Sequence, residues 1–280
     1  MDRISGNAPV LLLGTGLTSV DVAMTLLDKN PERRILALSR HGLLPQAHRH
    51  AAGHPAAGLR ADAIWGDADT VRDQLRGFRR YCRALAAAGR DWREAMALLR
   101  PVTAEVWQAY PERERKRFLR HVQPYWDTHR HRLAPAVHER FSLALAAGAV
   151  QIVAARVQGF EEADGGVQVS LRARGAATAR SLRTGWVINC TGPCADPRSA
   201  GSPLVAQLLA DGLIRTDSLG LGLEVDANCA VVNALGQASS RLFYIGPWLK
   251  ANYWEATAVP DLRRFARQLA VGLTAGLDGR

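Results

Sequence analysis

The sequence is poor in lysine, in cysteine and in long apolar runs, and each shortage argues against a class of function. Only three of its 36 basic residues are lysine (Lys29, Lys116 and Lys250). A formal charge of +10 invites a nucleic-acid or anionic-surface reading. Yet there is no RNA-binding signature and no lysine-rich tail, and arginine beside abundant alanine reads as coding bias as much as function, so nucleic acid is not expected. The four cysteines, Cys82, Cys190, Cys194 and Cys229, are scattered. The spacing Cys190-x-x-x-Cys194 is not the C-x-x-C of redox and zinc sites, and reduced thiols in a cytoplasmic protein are the expectation. No run approaches the ~18–20 apolar residues of a membrane span. Met1–Pro9 carries no hydrophobic signal region, so neither a membrane nor a secretory route is expected.

What is present starts early. The chain has 280 residues, 48% of them hydrophobic, enough for one large or two modest cores. Val10-Leu11-Leu12-Leu13 is a short aliphatic run of the kind buried on both faces of a parallel sheet. Gly14 and Gly16 follow, and then Leu17, Val20, Met24 and Leu27 recur at helical spacing. Strand, glycine turn and helix together form the unit that seats a dinucleotide pyrophosphate. The first glycine permits the tight turn, the second lets phosphate approach the backbone, and the helix N-terminus offers free N–H groups. The expected cradle is Gly14, Thr15, Gly16, Leu17, Thr18 and Ser19, with Ser19 standing where the G-x-G-x-x-G pattern has its third glycine. The alternative is an ordinary strand-to-helix turn.

A second aliphatic run, Arg34–Leu38, ends at Ser39-Arg40. Arg40 stands 21 residues beyond Ser19, where an NAD-type fold carries an acid for the ribose hydroxyls. A guanidinium there suits the 2′-phosphate of NADP, with Ser39 beside it, unless Arg40 is simply a solvated residue after a strand.

Residues 41–66 read as a long loop containing His41, His48, His50 and His54. Arg40, Arg49 and Arg60 lie among them, a cationic setting that disfavours a divalent metal, so no metal site is expected. Residues 68–147 read as helices over Asp69–Ala88, Asp91–Leu99 (stopped by Pro101), Thr103–Tyr110, Glu112–His121 and Pro135–Ala147. Between 72 and 140 there are 16 Arg and Lys against 8 Asp and Glu. Inside this block, Arg117–Pro135 is dense in Arg, His, Tyr and Trp. Read as an extended segment, it puts His129 and His131 on one face. It would serve either as an anion- or substrate-facing wall or as a subdomain hinge. Asp127 and His129 here, and Glu255 in NYWEATAVP, are the chain's polar candidates for catalysis, and no acid–base pair is evident.

The period then shortens. Val150–Val157, Val167–Leu171 and Ala179–Leu182 spell a three-stranded antiparallel meander. Trp186–Cys190 reads as a buried strand running into Thr191-Gly192-Pro193. A short helix over 203–211 follows, then two short strands around Gly220–Leu235. Leu242–Ile245 reads as a last buried strand ending in Gly246-Pro247, and a helix over 261–273 closes the chain. The fold class expected is α/β, a Rossmann-like parallel sheet with a helical insert and a β-meander. The NAD(P)-binding domain is assigned to 1–66 and 149–200, and the insert to 67–148.

The segments VLLLGTGLTSVDVAMTLL, LSRHGLLPQAHR, RFLRHVQPYWDTHRHRLAP, INCTGP and NYWEATAVPDLR resemble a bacterial family of FAD- and NAD(P)-binding proteins. Its wider kin are the two-dinucleotide-domain flavoproteins, with the fold of glutathione reductase and the N-hydroxylating monooxygenases. The resemblance covers nearly the whole chain and implies an oxidoreductase in which NADPH reduces a flavin. INCTGP would then be the strand returning to the FAD domain (Thr191, Gly192), and FYIGP the late strand touching the flavin's ribityl chain (Gly246). The single glycine unit resembles the NADP-binding one, Asp21 included. No separate FAD-binding glycine unit precedes it, and Pro247 stands where the late aspartate is expected. The chain therefore matches the C-terminal portion of that architecture, with 201–280 as a truncated FAD-domain-like region. The alternatives are a dinucleotide-binding module or truncated remnant acting with a separate FAD-binding chain, and a small flavoprotein whose FAD sits at Gly14–Ser19.

Overall fold

The computed structural model describes Ile4 and residues 6–50 and 62–278. In chain order its elements are β1 (Val10–Leu13), α1 (Leu17–Lys29), β2 (Ile35–Ser39), α2 (Asp62–Trp65), α3 (Val71–Ala87), α4 (Arg93–Leu99), α5 (Thr103–Ala109), α6 (Glu112–His121), α7 (Gln123–Arg130) and α8 (Pro135–Ala146). Then come β3 (Val150–Ala163), β4 (Gly166–Ala173), β5 (Arg180–Thr184), β6 (Trp186–Asn189), α9 (Pro203–Ala210), β7 (Ala230–Val232), β8 (Ala238–Phe243), α10 (Lys250–Tyr253) and α11 (Val259–Asp278). The chain divides into two compact units, Met1–His54 with Leu119–Gly192, and Pro55–Phe118 with Pro193–Arg280.

The first unit holds a six-stranded sheet in the order β5-β4-β3-β2-β1-β6. β1 pairs in parallel with β2 on one side and β6 on the other, and the first residues of β3 continue the parallel set beyond β2. The side-chain alternation of β1 feeds two cores. Val10 and Leu12 join Val20, Ala23, Met24 and Leu26 of α1 and Phe141 of α8 on one face. Leu11 joins Leu38, Val169 and Leu171 on the other. A doubly wound sheet usually has helices on both faces. Here β4 and β5 curl over the second face: the Thr184 hydroxyl donates to the Pro9 carbonyl at 2.8 Å, and Val187 of β6 packs with Leu182 and Val167. The meander thus replaces a helical layer, which explains why a four-residue aliphatic strand is buried on both sides. The Rossmann-like α/β class is the observed one.

In the second unit, Ile214, Leu223, Val225, Cys229, Val231, Leu249 and Phe265 form the core. Trp107, Phe118 and Trp254 form a separate aromatic cluster, Trp254 lying 4.9 Å from each of the other two between ring centroids. The Trp107 indole donates to the Ala251 carbonyl at 2.9 Å. Trp254 adopts φ 59°, a conformation that costs a non-glycine residue about 1–2 kcal/mol. The two rings against it, and Lys250 Nζ 4.4 Å from its ring, hold it there.

Several elements differ from the sequence reading. The segment after His121 is not extended: Pro124 sits in the first turn of α7, a position where its missing N–H is harmless, and His129 lies in that helix's last turn. Pro101 does not stop the chain's helical course, which passes through a 3₁₀ turn at Arg100–Val102 into α5, with the Thr103 hydroxyl on the Leu99 carbonyl at 2.8 Å. β6 is an edge strand with Trp186 38% exposed, not a strand buried on both faces. Leu242–Ile245 is not a buried strand either. β8 pairs only with β7, in a two-stranded ribbon that leaves Leu242 and Phe243 half-buried. Around Gly220–Leu235 there is one strand, β7, with isolated bridges Thr216–Leu223 and Val225–Val231 where a second was expected.

Candidate dinucleotide site

The sheet reverses direction of growth at β1: β2 and β3 extend it one way and β6 the other. Ligands of open α/β sheets bind outside the carboxyl ends of the strands at such a switch point. Gly14–Ser19 stands there, between the ends of β2 and β6. The Gly14 N–H donates to the Leu38 carbonyl at 2.7 Å, and the Cys190 N–H to the Leu13 carbonyl at 2.8 Å, so the turn is held from both neighbours.

The two glycines do different work. Gly14 has φ +105°, and a Cβ there would lie 2.6 Å from the Cys190 carbonyl oxygen. It is glycine for the turn and for close packing. Gly16 has φ −83° and ψ −169°, open to any residue, and a Cβ there would meet no atom within 4 Å. Gly16 caps α1 with no side-chain hydrogen bond, so the first N–H groups of Leu17, Thr18 and Ser19 face an open approach at the positive end of the helix.

The remaining cradle residues divide between scaffold and surface. Thr15 is buried. Its hydroxyl donates to the Leu43 carbonyl at 2.6 Å and lies 2.9 Å from Ser39 Oγ, which accepts the Gly42 N–H at 3.0 Å. These bonds fix the loop after β2 to the glycine turn. Ser19 is 2% exposed within α1 and Thr18 is exposed. Thr191 and Gly192 follow β6, next to the turn. The Thr191 N–H and hydroxyl both bond to Asn189 Oδ1, at 3.0 and 2.7 Å. The structure therefore gathers Gly14–Ser19, Ser39, Arg40, Thr191 and Gly192 at the carboxyl ends of β2, β1 and β6. Gly246 belongs to the other unit. A Cβ there would lie 2.5 Å from the Tyr244 hydroxyl, and the Tyr244 ring stacks on Trp248 at 5.5 Å.

The histidine- and arginine-rich stretch joins the first unit through the same loop. The Gln46 N–H bonds the Thr128 carbonyl, and Leu133 and Gln46 exchange a further backbone bond at 2.8 Å. His129 Nδ1 lies 2.8 Å from the Tyr125 carbonyl, and Asp127 is 3.4 Å from Gln123. Glu255 follows the strained Trp254 in the second unit. No group of three or more His, Cys, Asp or Glu among the described residues is placed to hold a metal ion, and His54 lies outside the described residues.

One feature was not foreseen from the sequence. A cavity of ≈ 290 Å³ opens beyond the end of β2, lined by Arg40, His41, Arg156, Arg172, Arg174 and the chain at Gly175-Ala176. Burial, and then Arg174, Arg40 and Arg156 in that order, hold the His41 imidazole below the ordinary histidine value. The cavity's only trace in the sequence is Arg172-x-Arg174 at the end of β4, two arginines with no pattern to tie them to Arg40 and Arg156 on other strands.

No family model and no curated protein matches this chain. Solved structures share its fold. They include ornithine N-hydroxylase of Kutzneria sp. 744 (13% identical, TM-score 0.56, covering 95% of this chain and 54% of that one). L-lysine 6-monooxygenase of Pseudomonas syringae is 14% identical with TM-score 0.59, covering 97% and 54%. The FAD-bound cadaverine monooxygenase of Erwinia amylovora is 12% identical with TM-score 0.59, covering 100% and 53%. The chain spans about half the length of these proteins, and the likeness is one of fold.

Proposed function

We propose that this chain binds NADPH at the Gly14–Ser19 turn and takes part in NADPH-dependent flavin reduction, with monooxygenase chemistry as the downstream use. The observation that carries the reading is the open backbone at Gly16, facing an uncapped helix N-terminus at the sheet's switch point. The residues fit the coenzyme. Gly14 and Gly16 leave the turn bare, and the N–H groups of Leu17–Ser19 would take pyrophosphate oxygens. Arg40, exposed just past β2, would meet the 2′-phosphate. Thr15 and Ser39 act from beneath, holding the two loops in register. The nicotinamide would supply hydride when bound. The structures of similar fold are N-hydroxylating monooxygenases of small amines, one of them named with reduced FAD, NADP⁺ and L-ornithine, which supports a flavin as acceptor.

The flavin's own seat is less complete. Within the second unit, the phenol of Tyr244 fills the side of Gly246 that a Cβ would take. That crowding favours a second reading, a dinucleotide-binding module whose flavin is held by a separate FAD-binding chain. Anaerobic addition of NADPH to the purified protein, followed by visible absorption, separates the two. Bleaching of bound flavin bands supports reductase activity. A colourless protein that binds NADPH supports the module. Absence of NADPH binding refutes both.

A further inference from the structure

We infer that the arginines of the β-meander, Arg156, Arg172 and Arg174, form with Arg40 a preorganised pocket for a phosphomonoester dianion, the 2′-phosphate of the coenzyme, and so set its specificity. This rests on the reading of Gly14–Ser19 as the dinucleotide seat.

Three observations carry it. First, Arg156 and Arg172 stand directly opposite each other on the antiparallel pair β3–β4, and Arg174, in the turn just past β4, lines the same cavity. Like charges so placed destabilise a sheet. No hydrogen bond or ion pair to Arg40, Arg156, Arg172 or Arg174 side chains exists among the described residues to offset this. A local rule broken without compensation marks a site built for something else. Second, the four side chains, each exposed, line one cavity with His41 at its wall. His41 Nδ1 is buried there with no partner, so the pocket retains an unmet hydrogen-bonding group besides its unpaired charge. Third, the position is right. Ser39 pairs with Ala154, so Arg40 and Arg156 emerge at the ends of neighbouring strands. With strands ~4.8 Å apart, Arg40 and Arg156 stand roughly one and two strand spacings, ~5–10 Å, from the Gly14 turn, and Arg172 stands three. That is the reach of a ribose carrying a 5′-pyrophosphate and a 2′-phosphate. The Thr15–Ser39–Gly42 hydrogen bonds hold the two ends of this span together.

The test measures the dissociation constants of NADPH and NADH for the wild-type protein, Arg156→Ser/Arg174→Ser, and Arg180→Ser. Arg180, exposed on β5, lies outside the pocket and controls for loss of a positive charge elsewhere on the meander. The double variant should weaken NADPH about tenfold or more, since guanidinium–phosphate bonds are charge-assisted, and leave NADH unchanged. Arg180→Ser should leave both unchanged. Inorganic phosphate should compete with NADPH and not with NADH in the wild type, and lose that effect in the double variant. An unchanged NADPH constant in the double variant, or an equal loss for both coenzymes, overturns the inference while leaving the Gly14 seat standing. Failure of the wild type to bind either coenzyme overturns the seat and the pocket together.

Discussion

Replacing the two glycines of the turn should separate folding from binding. Gly14→Ala places a methyl at φ +105°, which costs about 1–2 kcal/mol for an L side chain. The same methyl would lie 2.6 Å from the Cys190 carbonyl oxygen and 3.0 Å from its carbon. Those are backbone atoms and cannot rotate away. The end of β6 must shift, straining the Cys190 N–H bond to Leu13, worth about 1 kcal/mol. The total is about 2–3 kcal/mol, and at about 2–4 °C per kcal/mol the melting temperature should fall by roughly 4–12 °C. At Gly16→Val the new Cβ meets no atom within 4 Å at an ordinary φ of −83°, so the cost is chiefly the weaker capping preference, about 0.5 kcal/mol. Its melting temperature should stay within about 2 °C of wild type, while its side chain occupies the approach to the helix N-terminus and abolishes NADPH binding. Thermal unfolding by circular dichroism and NADPH fluorescence titration read the two effects. If Gly16→Val melts as early as Gly14→Ala, or binds NADPH as wild type does, the assignment of one glycine to packing and the other to ligand approach is wrong.

Three further outcomes are expected. Glu114 is 1% exposed, accepting the Val71 N–H at 3.0 Å and Arg117 at 2.6 Å, so Glu114→Ala should cost about 1–3 kcal/mol by urea denaturation, and an unchanged midpoint would show that the bond contributes nothing. Cys194 is the exposed thiol, whereas burial pushes the Cys82, Cys190 and Cys229 thiols up; a chromogenic disulfide at pH 7 should therefore titrate one thiol quickly and the rest only after denaturation. The native His41 pKa lies below its unfolded value near 6.5, chiefly through burial, so the unfolded chain binds the extra proton in that window. Stability held above about pH 6.5 should then be lost as pH falls toward the native pKa. His41→Asn should flatten the pH dependence of the melting temperature there, and an identical slope in the variant would contradict it.

The alternation of period carried most of the fold. Val10–Leu13 and Leu17–Lys29 follow from a short aliphatic run and a helical stripe, because each pattern has one stable way to bury itself. What the pattern could not give is which strands lie at an edge. Trp186–Asn189 has the composition of a central strand, yet β6 has only β1 as a neighbour, and nothing local to the four residues records that. The helix α7 was missed for a related reason. Its Gln-Pro-Tyr-Trp start resembles a break until proline is recognised in the first turn, where it needs no N–H. In the site, the glycines were legible because their chemistry is local. Thr15 and Ser39 were legible as members of the candidate site, but not as the pair that ties two loops together, since that bond joins residues 24 positions apart.

The meander illustrates how one strand can serve fold and ligand together. β3 runs parallel to β2 from Val150 to Ala154, then antiparallel to β4 from Ala155 onward. A register shift between Val157 and Gly159 bends it just after Arg156. Before the bend the strand extends the parallel sheet beside β2. Beyond it, Val169 and Leu171 of β4 are drawn across the second face as cover. Their burial offsets the repulsion of the opposed Arg156 and Arg172, because Val169 and Leu171 face the core while Arg172, on the alternate face, lines the pocket. On this argument, Arg156→Ser should raise the melting temperature of the ligand-free protein while lowering its preference for NADPH over NADH. A variant that lost stability instead would show that the arginines brace the sheet and do not burden it.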